Sequence, residues 1–538
     1  MLEIPVLIIG GGPVGLTASL LLSRAGVRSL LVERHDGTSR VPKARGINAR
    51  TMEMYRQLGL EEDIHAAGLS AGSTGLIVWT ESLAGREIER RVPGRALPKN
   101  LAVTPTTNCL CAQDDLEPVL RRHAEAAGLG DVRFATEMTA FRRDANGISA
   151  TIRDLATGAE TGIRARWLIA ADGAQSRVRR AMGVRMPGEE KVYDSVNILV
   201  RADLTEWVKD RPAALYFVEQ PSLRGTFLTI NARDRWGFLI HSLAHYGYRP
   251  ADFTPEFCTA LVRQAAGLPD LPVEVLGVSY WEASAIVAER YRDGRMFLAG
   301  DAAHEIPPTG GFGMNTGVQD VLNLCWKLAA VERGEAGEAL LDSYDAERRP
   351  LAELTTRTSL ANALSMGRTA KQSSAVLPRR EFLNEQGLIF GVPYESAAVL
   401  ADGTPPLMPE DPITEYLPSA RPGSRAPHVW LQQGDTRLST IDLLGKRFVL
   451  LAGREGAGWA AAARALAGSG NPPMSAHVIG GRLADPENAW HAAYEVSPRG
   501  AVLVRPDGYV AWRSRDGAAD PEGVLRDALD RLLGRQAA

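Results

Sequence analysis

A chain of 538 residues has room for roughly two to four domains with cores of their own, which excludes a mini-protein stapled by disulfides or metal. Its 61 Lys and Arg against 64 Asp and Glu leave a net charge of −3, so no nucleic-acid partner is indicated. The four cysteines (Cys109, Cys111, Cys258, Cys325) are too few and scattered for a disulfide framework and predict a reducing, cytoplasmic setting. No apolar run of about 18 residues and no secretory leader stand out, so no membrane partner is expected.

The chain opens on a continuous apolar run, Val6 to Ile9, that predicts a strand buried on both faces, followed at once by Gly10-Gly11-Gly12-Pro13-Val14-Gly15. A helix over Leu16 to Ala25 and a second strand over Ser29 to Val32, ending in Glu33-Arg34, complete a βαβ unit. Gly10-x-Gly12-x-x-Gly15 at the start of a helix leaves backbone N–H groups and the helix dipole facing a pyrophosphate, and the Glu33 carboxylate suits an adenosine ribose without a 2′-phosphate. A glycine-rich turn serving only close packing is the alternative to this dinucleotide reading.

Trp167 to Ala171 and Met296 to Ala299 predict two more buried strands, ending in Asp172-Gly173 and Gly300-Asp301. Asp-Gly is also an ordinary turn dipeptide, the reading given to Asp507-Gly508, but Asp172 ends a strand and is followed by Ser176 and Arg179. Because the two strands are far apart in sequence, a shared site requires a discontinuous nucleotide domain with an insert. Within 190–278, alternating segments such as Ala214 to Val218, Gly225 to Ile230 and Trp236 to His241 predict an antiparallel sheet.

Gly300-Asp301-Ala302-Ala303-His304, then Pro307-Pro308-Thr309-Gly310-Gly311-Phe312-Gly313-Met314-Asn315, is the most specific stretch. A strand-end carboxylate there can hold polyol hydroxyls, and a glycine-rich helix start presents N–H donors to a planar electron-accepting ring. The alternative is a loop that merely caps the next helix. Helices are predicted over Val318 to Arg333 and Glu338 to about Ser365, and a linker over Asp402 to Pro427. A small α/β unit follows: strand Phe448 to Leu451, helix Trp459 to Leu466, strand Ala476 to Ile479, a hairpin from Ala501 to Trp512 turning at Pro506-Asp507-Gly508, and helix Pro521 to Leu533.

Together the three motifs resemble, over residues 4–360, the class A FAD-dependent aromatic monooxygenases of the p-hydroxybenzoate hydroxylase fold. The segment Pro42 to Glu53, with Arg45 beside the flavin's path, and Gln113 to Glu117, with a FAD-contacting Gln113, are similar to that family as well. The tail from Pro418 resembles the thioredoxin-like C-terminal domain of its phenol and aromatic-polyketide hydroxylase branch. The tail holds no cysteine, so it is read as a packing or dimer element.

The resemblance implies an α/β fold: a Rossmann-like FAD domain (1–180, with excursions toward the substrate domain near 70–110, and 279–400), an inserted β-sheet substrate domain (181–278) and a thioredoxin-like domain (401–538). It implies FAD as cofactor, with NADPH or NADH as transient co-substrate. It further implies O2 and a small aromatic substrate as reactants, with hydroxylation through a flavin C4a-hydroperoxide in a water-poor cavity. The cofactor-binding set is Gly10, Gly12, Pro13, Gly15, Glu33, Arg34, Arg45, Gln113, Asp172, Gly173, Gly300, Asp301, Pro308, Gly311, Gly313, Met314 and Asn315; no metal is expected.

Arg45, Tyr216 and His241 are the candidates for activating the substrate, each with a structural alternative, and His304 is read as fixing the Asp301 loop. The missing WxWxIP segment argues against a halogenase. A scaffold that stabilises a reactive ligand with little hydroxylation of its own is the second functional reading. Simple or chlorinated phenols and natural-product rings (anthracyclines, angucyclines, a piericidin-type pyridinol) are the substrate groups implied, with antibiotic tailoring favoured, in a monomer or homodimer.

Overall fold

The structure, a computed structural model, describes residues 1–69, 76–94, 98–366, 379–468 and 470–535. The first sheet is built around Leu2–Ile9, which pairs in parallel with Glu160–Ala170 on one side and Ser29–Val32 on the other. Gly130–Arg133 extends it beyond Ser29–Val32, and Met296–Leu298 joins the far side of Glu160–Ala170, again in parallel. The register sets Ile9 opposite both Val32 and Ala170, and Ala170 opposite Leu298. Four strands from distant parts of the chain therefore end at one edge, where open parallel sheets bind ligands.

The predicted helices are present with shifted starts: Pro13–Arg24 begins at the glycine turn, and Gly313–Glu332 begins at the second glycine-rich loop. Both pack against the sheet in one apolar core. Glycines permit the contact. A Cβ on Gly10, whose φ is +109°, would lie 2.2 Å from the Ala171 carbonyl oxygen, and one on Gly317 would lie 2.7 Å from Gly300 Cα.

The second sheet has eight strands in the order His304–Glu305, Glu274–Val287, Gly188–Arg201, Arg235–His241, Arg224–Thr229, Leu215–Glu219, Ile77–Thr80 and Glu87–Arg91. It is larger than the 190–278 segment suggests. Its last two strands, Ile77–Thr80 and Glu87–Arg91, come from the 70–110 stretch, of which residues 70–75 and 95–97 lie outside the described residues. Ile198, Tyr216, Phe227, Phe238 and Ile240 face a core closed by the helix Pro255–Ala266, and the intervening residues face the first sheet's domain.

The tail forms a four-stranded sheet in the order Met474–Val478, Phe448–Ala452, Ala501–Val504, Val510–Ser514, with helices Ala457–Leu466 and Pro521–Leu532 on one face. That face also buries Trp326 and Leu340 of the cofactor domain. The stretch expected as a linker, Asp402 to Pro427, is irregular but tied down: Arg425 is fully buried in an ion pair with Glu53. No helix among the described residues is long and apolar enough to cross a membrane.

Candidate active site

The strand ends and the inner face of the second sheet enclose a cavity of about 1410 Å³. Single-ligand pockets run roughly 300–1,000 Å³, so this one has room for a dinucleotide and a second flat molecule. Of the expected cofactor residues, Gly10, Gly12, Pro13, Glu33, Arg34, Arg45, Gln113, Asp172, Gly173, Asp301, Pro308, Gly311, Gly313, Met314 and Asn315 line it.

Gly15 and Gly300, expected with this set, do not line it. A Cβ at Gly15 would fall 1.9 Å from the Gly10 carbonyl oxygen, and Gly300, at φ +61°, packs on Val14. Both act through the backbone path they allow.

Two helix N-termini converge on the cavity, at Gly12-Pro13 and Phe312-Gly313, and neither has a side-chain cap. Their leading N–H groups remain available to an anion or a carbonyl-rich ring. A Cβ on Gly12 would meet only Glu117 Oε1 at 3.9 Å, and Gly173 and Gly311 face open space at φ +78° and +73°. Glu33 Oε2 accepts from Gly11 N (2.7 Å), holding the carboxylate at the turn. Asp172 Oδ2 accepts from Arg177 N (2.9 Å), while Asp172 Oδ1 is buried with no partner among the described residues. Glycine cradle, uncapped helices, strand-end carboxylates and the exposed Arg34 at the rim fit a dinucleotide such as FAD.

The Asp301 carboxylate opens onto the cavity. Loss of water to the surrounding protein raises its pKa, against the opposing pull of His304 and Lys43. His304 itself is fully buried, and a 2.8 Å hydrogen bond joins its Nε2 to Asp320 Oδ2, which also accepts from Gly300 N (3.1 Å). Burial alone would raise the Asp320 carboxyl, but Arg348 and His304 outweigh it and keep it ionised. His304 thus holds the Asp301 loop from behind, through Asp320.

Other polar residues brace the walls. Asn315 Oδ1 accepts from Asn48 N (2.9 Å), and its Nδ2 donates to the carbonyls of Gly46 and Gly311 (both 2.8 Å). Gln113 Nε2 donates to Glu117 Oε1 (2.6 Å), and Gln113 N donates to the Ala44 carbonyl (2.8 Å). Arg45 donates to the carbonyls of Thr229 (2.7 Å) and Ala214 (2.8 Å), clasping the second sheet to the cofactor domain. Arg179, singled out in the sequence only for following Asp172, bridges the carbonyls of Ala174 (2.7 Å) and Ala302 (3.1 Å) and so couples the two Asp loops.

The substrate-activating candidates separate. His241 lines the cavity, its Nδ1 2.5 Å from Ser195 Oγ, with Trp281 edge-on at 6.2 Å between ring centroids. Tyr216 does not reach the cavity. It points into the sheet's other core, where its hydroxyl donates to the Arg211 carbonyl and accepts from Ala213 N (both 2.9 Å), and burial pushes its pKa up to about 12. Sequence reading missed the sheet residues Asn197, Phe217 and Leu228, which share the cavity face with His241.

The description "FAD binding domain" matches residues 3–359, and "Aromatic-ring hydroxylase, C-terminal" matches 419–536. The chain belongs to the class A FAD-dependent aromatic hydroxylases. These hydroxylases use FAD with NAD(P)H as co-substrate, and this one is a flavin-dependent, O2-consuming monooxygenase of electron-rich aromatic rings. It is 40% identical to the tetracenomycin A2 monooxygenase-dioxygenase of Streptomyces glaucescens over 99% of this chain and 97% of that one. Among hydroxylases of known structure, it is similar to PieE in complex with FAD and substrate (34% identity, TM-score 0.92, 99% and 100% coverage). It is likewise similar to aklavinone-11 hydroxylase in a ternary complex with FAD and aklavinone (37%, TM-score 0.89, 99% and 100%).

Proposed function

We propose that this hydroxylase acts on a multi-ring phenolic substrate of the aromatic-polyketide type, in natural-product tailoring. The carrying observation is the sheet face of the cavity: Phe217, Leu228, Leu239 and Trp281 make a broad apolar wall, with polar side chains such as His241, Asn197, Thr226 and Ser279 set among them. Such a wall suits a flat ring system, and isolated polar groups orient it. The substrates named for the tetracenomycin and aklavinone enzymes support the same class.

When bound, FAD supplies the redox chemistry: electrons from NAD(P)H, activation of O2, one oxygen atom to the ring and the other to water. The chain's residues do the rest. Gly10, Gly12, Pro13, Glu33 and Arg34 hold the ADP half, Asp301 the ribityl hydroxyls, and Pro308, Gly311, Gly313 and Met314 the ring. Asp172-Gly173 borders the nicotinamide's approach. Gly15, Gly300, Gln113, Asn315 and Arg45 position those elements. His241, steadied by Ser195, takes the phenol proton, because a phenolate attacks an electrophile better than a phenol. The apolar wall excludes water from the reacting oxygen.

The reading takes 1–180 and 279–400 as the cofactor domain, 181–278 as the main body of the substrate domain and 401–538 as the tail domain. The tail buries its apolar face within the same chain, which supports a packing role and a monomer or loosely paired dimer. The buried free thiols support a cytoplasmic location. The test is NAD(P)H consumption with a panel of polycyclic phenols, coupled to product mass. Oxygenated product supports the reading. Hydrogen peroxide alone across the panel would favour the ligand-stabilising scaffold.

A further inference from the structure

The tail domain holds no cysteine, yet its hairpin turn Arg505-Pro506-Asp507-Gly508-Tyr509 is buried against the cofactor domain. Arg505 and Asp507 are at most 2% exposed. Three lines of contact run from this turn to the cavity.

The first starts at Tyr509, whose ring stacks on Tyr394 (centroids 3.8 Å apart, 17° between planes). The Tyr394 hydroxyl accepts from Arg348 Nη1 (2.9 Å), and Arg348 Nε donates to Asp320 Oδ1 (2.8 Å), the carboxylate that receives Gly300 N. The second runs through Arg50, which donates to the Asp507 carbonyl (2.5 Å) and lies over the Tyr509 ring (5.5 Å). Arg50 is on the helix Ala49–Gln57, which starts at Asn48, the residue Asn315 grips at the cavity wall.

The third is the helix Gly313–Glu332 itself. Asp507 Oδ2 accepts from Trp326 Nε1 (3.2 Å), and Arg505 donates to Glu347 (2.6 and 2.8 Å), which also receives Lys327 Nζ (2.7 Å).

We propose that this turn is a positioning element for FAD, with Tyr509, Asp507 and Arg505 setting the placement of the Gly300-Asp301 loop and of the Gly313 helix start from the far side of the domain. A buried, fully paired polar network has one low-energy arrangement, because any shift strands a charge away from water. Rigid helices carry that arrangement to the cofactor-facing N–H groups. The role explains why the tail retains a thioredoxin-like sheet without a single thiol. The inference rests on FAD binding alone and is independent of the substrate proposed above.

The test compares full-length Tyr509→Leu with Leu466→Ala, a buried tail residue outside the turn. The readouts are the FAD dissociation constant from titration of apoprotein, the visible circular dichroism of bound flavin, and the apoprotein melting temperature. Tyr509→Leu is expected to weaken FAD about tenfold and to change the flavin spectrum. Leu466→Ala is expected to lower the melting temperature with affinity and spectrum retained.

Equal FAD affinity and spectrum in wild type and Tyr509→Leu would overturn the proposal, as would an equal loss in both variants. If Tyr509→Leu does not fold, Tyr394→Phe decides, since it deletes only the hydroxyl that receives Arg348. An altered flavin spectrum supports the positioning role, and an unaltered spectrum and affinity reject it.

Discussion

Ser195 and His241 sit directly opposite each other on neighbouring antiparallel strands, and their side chains meet at 2.5 Å between Oγ and Nδ1. The contact fixes the ring's rotation, with Trp281 across from Ser195 on the other flanking strand. Replacing His241 by Gln removes the proton acceptor and keeps the volume. Hydroxylated product per second is expected to fall about 10²-fold or more, with NAD(P)H oxidation less affected and the difference released as hydrogen peroxide. Product yield per NAD(P)H, measured against wild type, checks this; an unchanged ratio and rate would remove His241 from the reaction.

Tyr216→Phe probes the opposite face of the same sheet. It leaves the Arg211 carbonyl and the Ala213 N–H without their partner, at a cost of about 1–3 kcal/mol. Thermal or urea unfolding should register that loss, while kcat of the folded fraction stays at the wild-type value.

At Gly10 the expected defect is in cofactor retention. An alanine Cβ would sit 2.2 Å from the Ala171 carbonyl oxygen at φ +109°, a strain exceeding the roughly 1–2 kcal/mol of an ordinary left-handed residue. Gly10→Ala protein should be purified with substoichiometric FAD, read from the ratio of flavin to protein absorbance.

Acid should weaken the tail through His428. Burial, reinforced by Arg425, lowers its pKa from 6.5 to about 4. Between those values the unfolded chain binds a proton that the folded chain does not, so this contribution is intact above pH 6.5 and is lost as pH falls toward 4. The upper bound is about 3 kcal/mol, at 1.36 kcal/mol per unit. His428→Gln, which keeps a polar group near Ser439, should show a shallower decline of melting temperature from pH 7 to 5.

The cofactor side of the site was legible because its signals are local: at each of three places a strand runs directly into a glycine turn or an Asp-Gly or Gly-Asp pair, and only Glu33 lies further on, at the end of the next strand. The substrate side was half legible. Alternation assigns each strand two faces, but which face meets the cavity depends on register. Tyr216 pairs with Phe227 and Phe227 with Phe238, which puts Tyr216 on Phe238's side and His241, three residues on, on the other. The buried ion network was not legible at all. Its partners are separated by 372 positions for Glu53 and Arg425 and by 457 for Arg50 and Asp507. An Asp-Gly turn that looks ordinary in sequence is ordinary in backbone shape and unusual only in what it is buried against.

The strand order of the first sheet has a bearing on how the molecule is born. Leu2–Ile9 is synthesised well ahead of its neighbour Glu160–Ala170, which follows only after about half of the cofactor domain has been made, and the sheet's Met296–Leu298 strand follows the whole insert. The turn at Asp507, which covers Trp326, follows later still. Vectorial synthesis therefore presents an unfinished nucleotide cradle for most of translation, and a message cut short anywhere ahead of the tail yields a chain with its central helix left bare to aggregation.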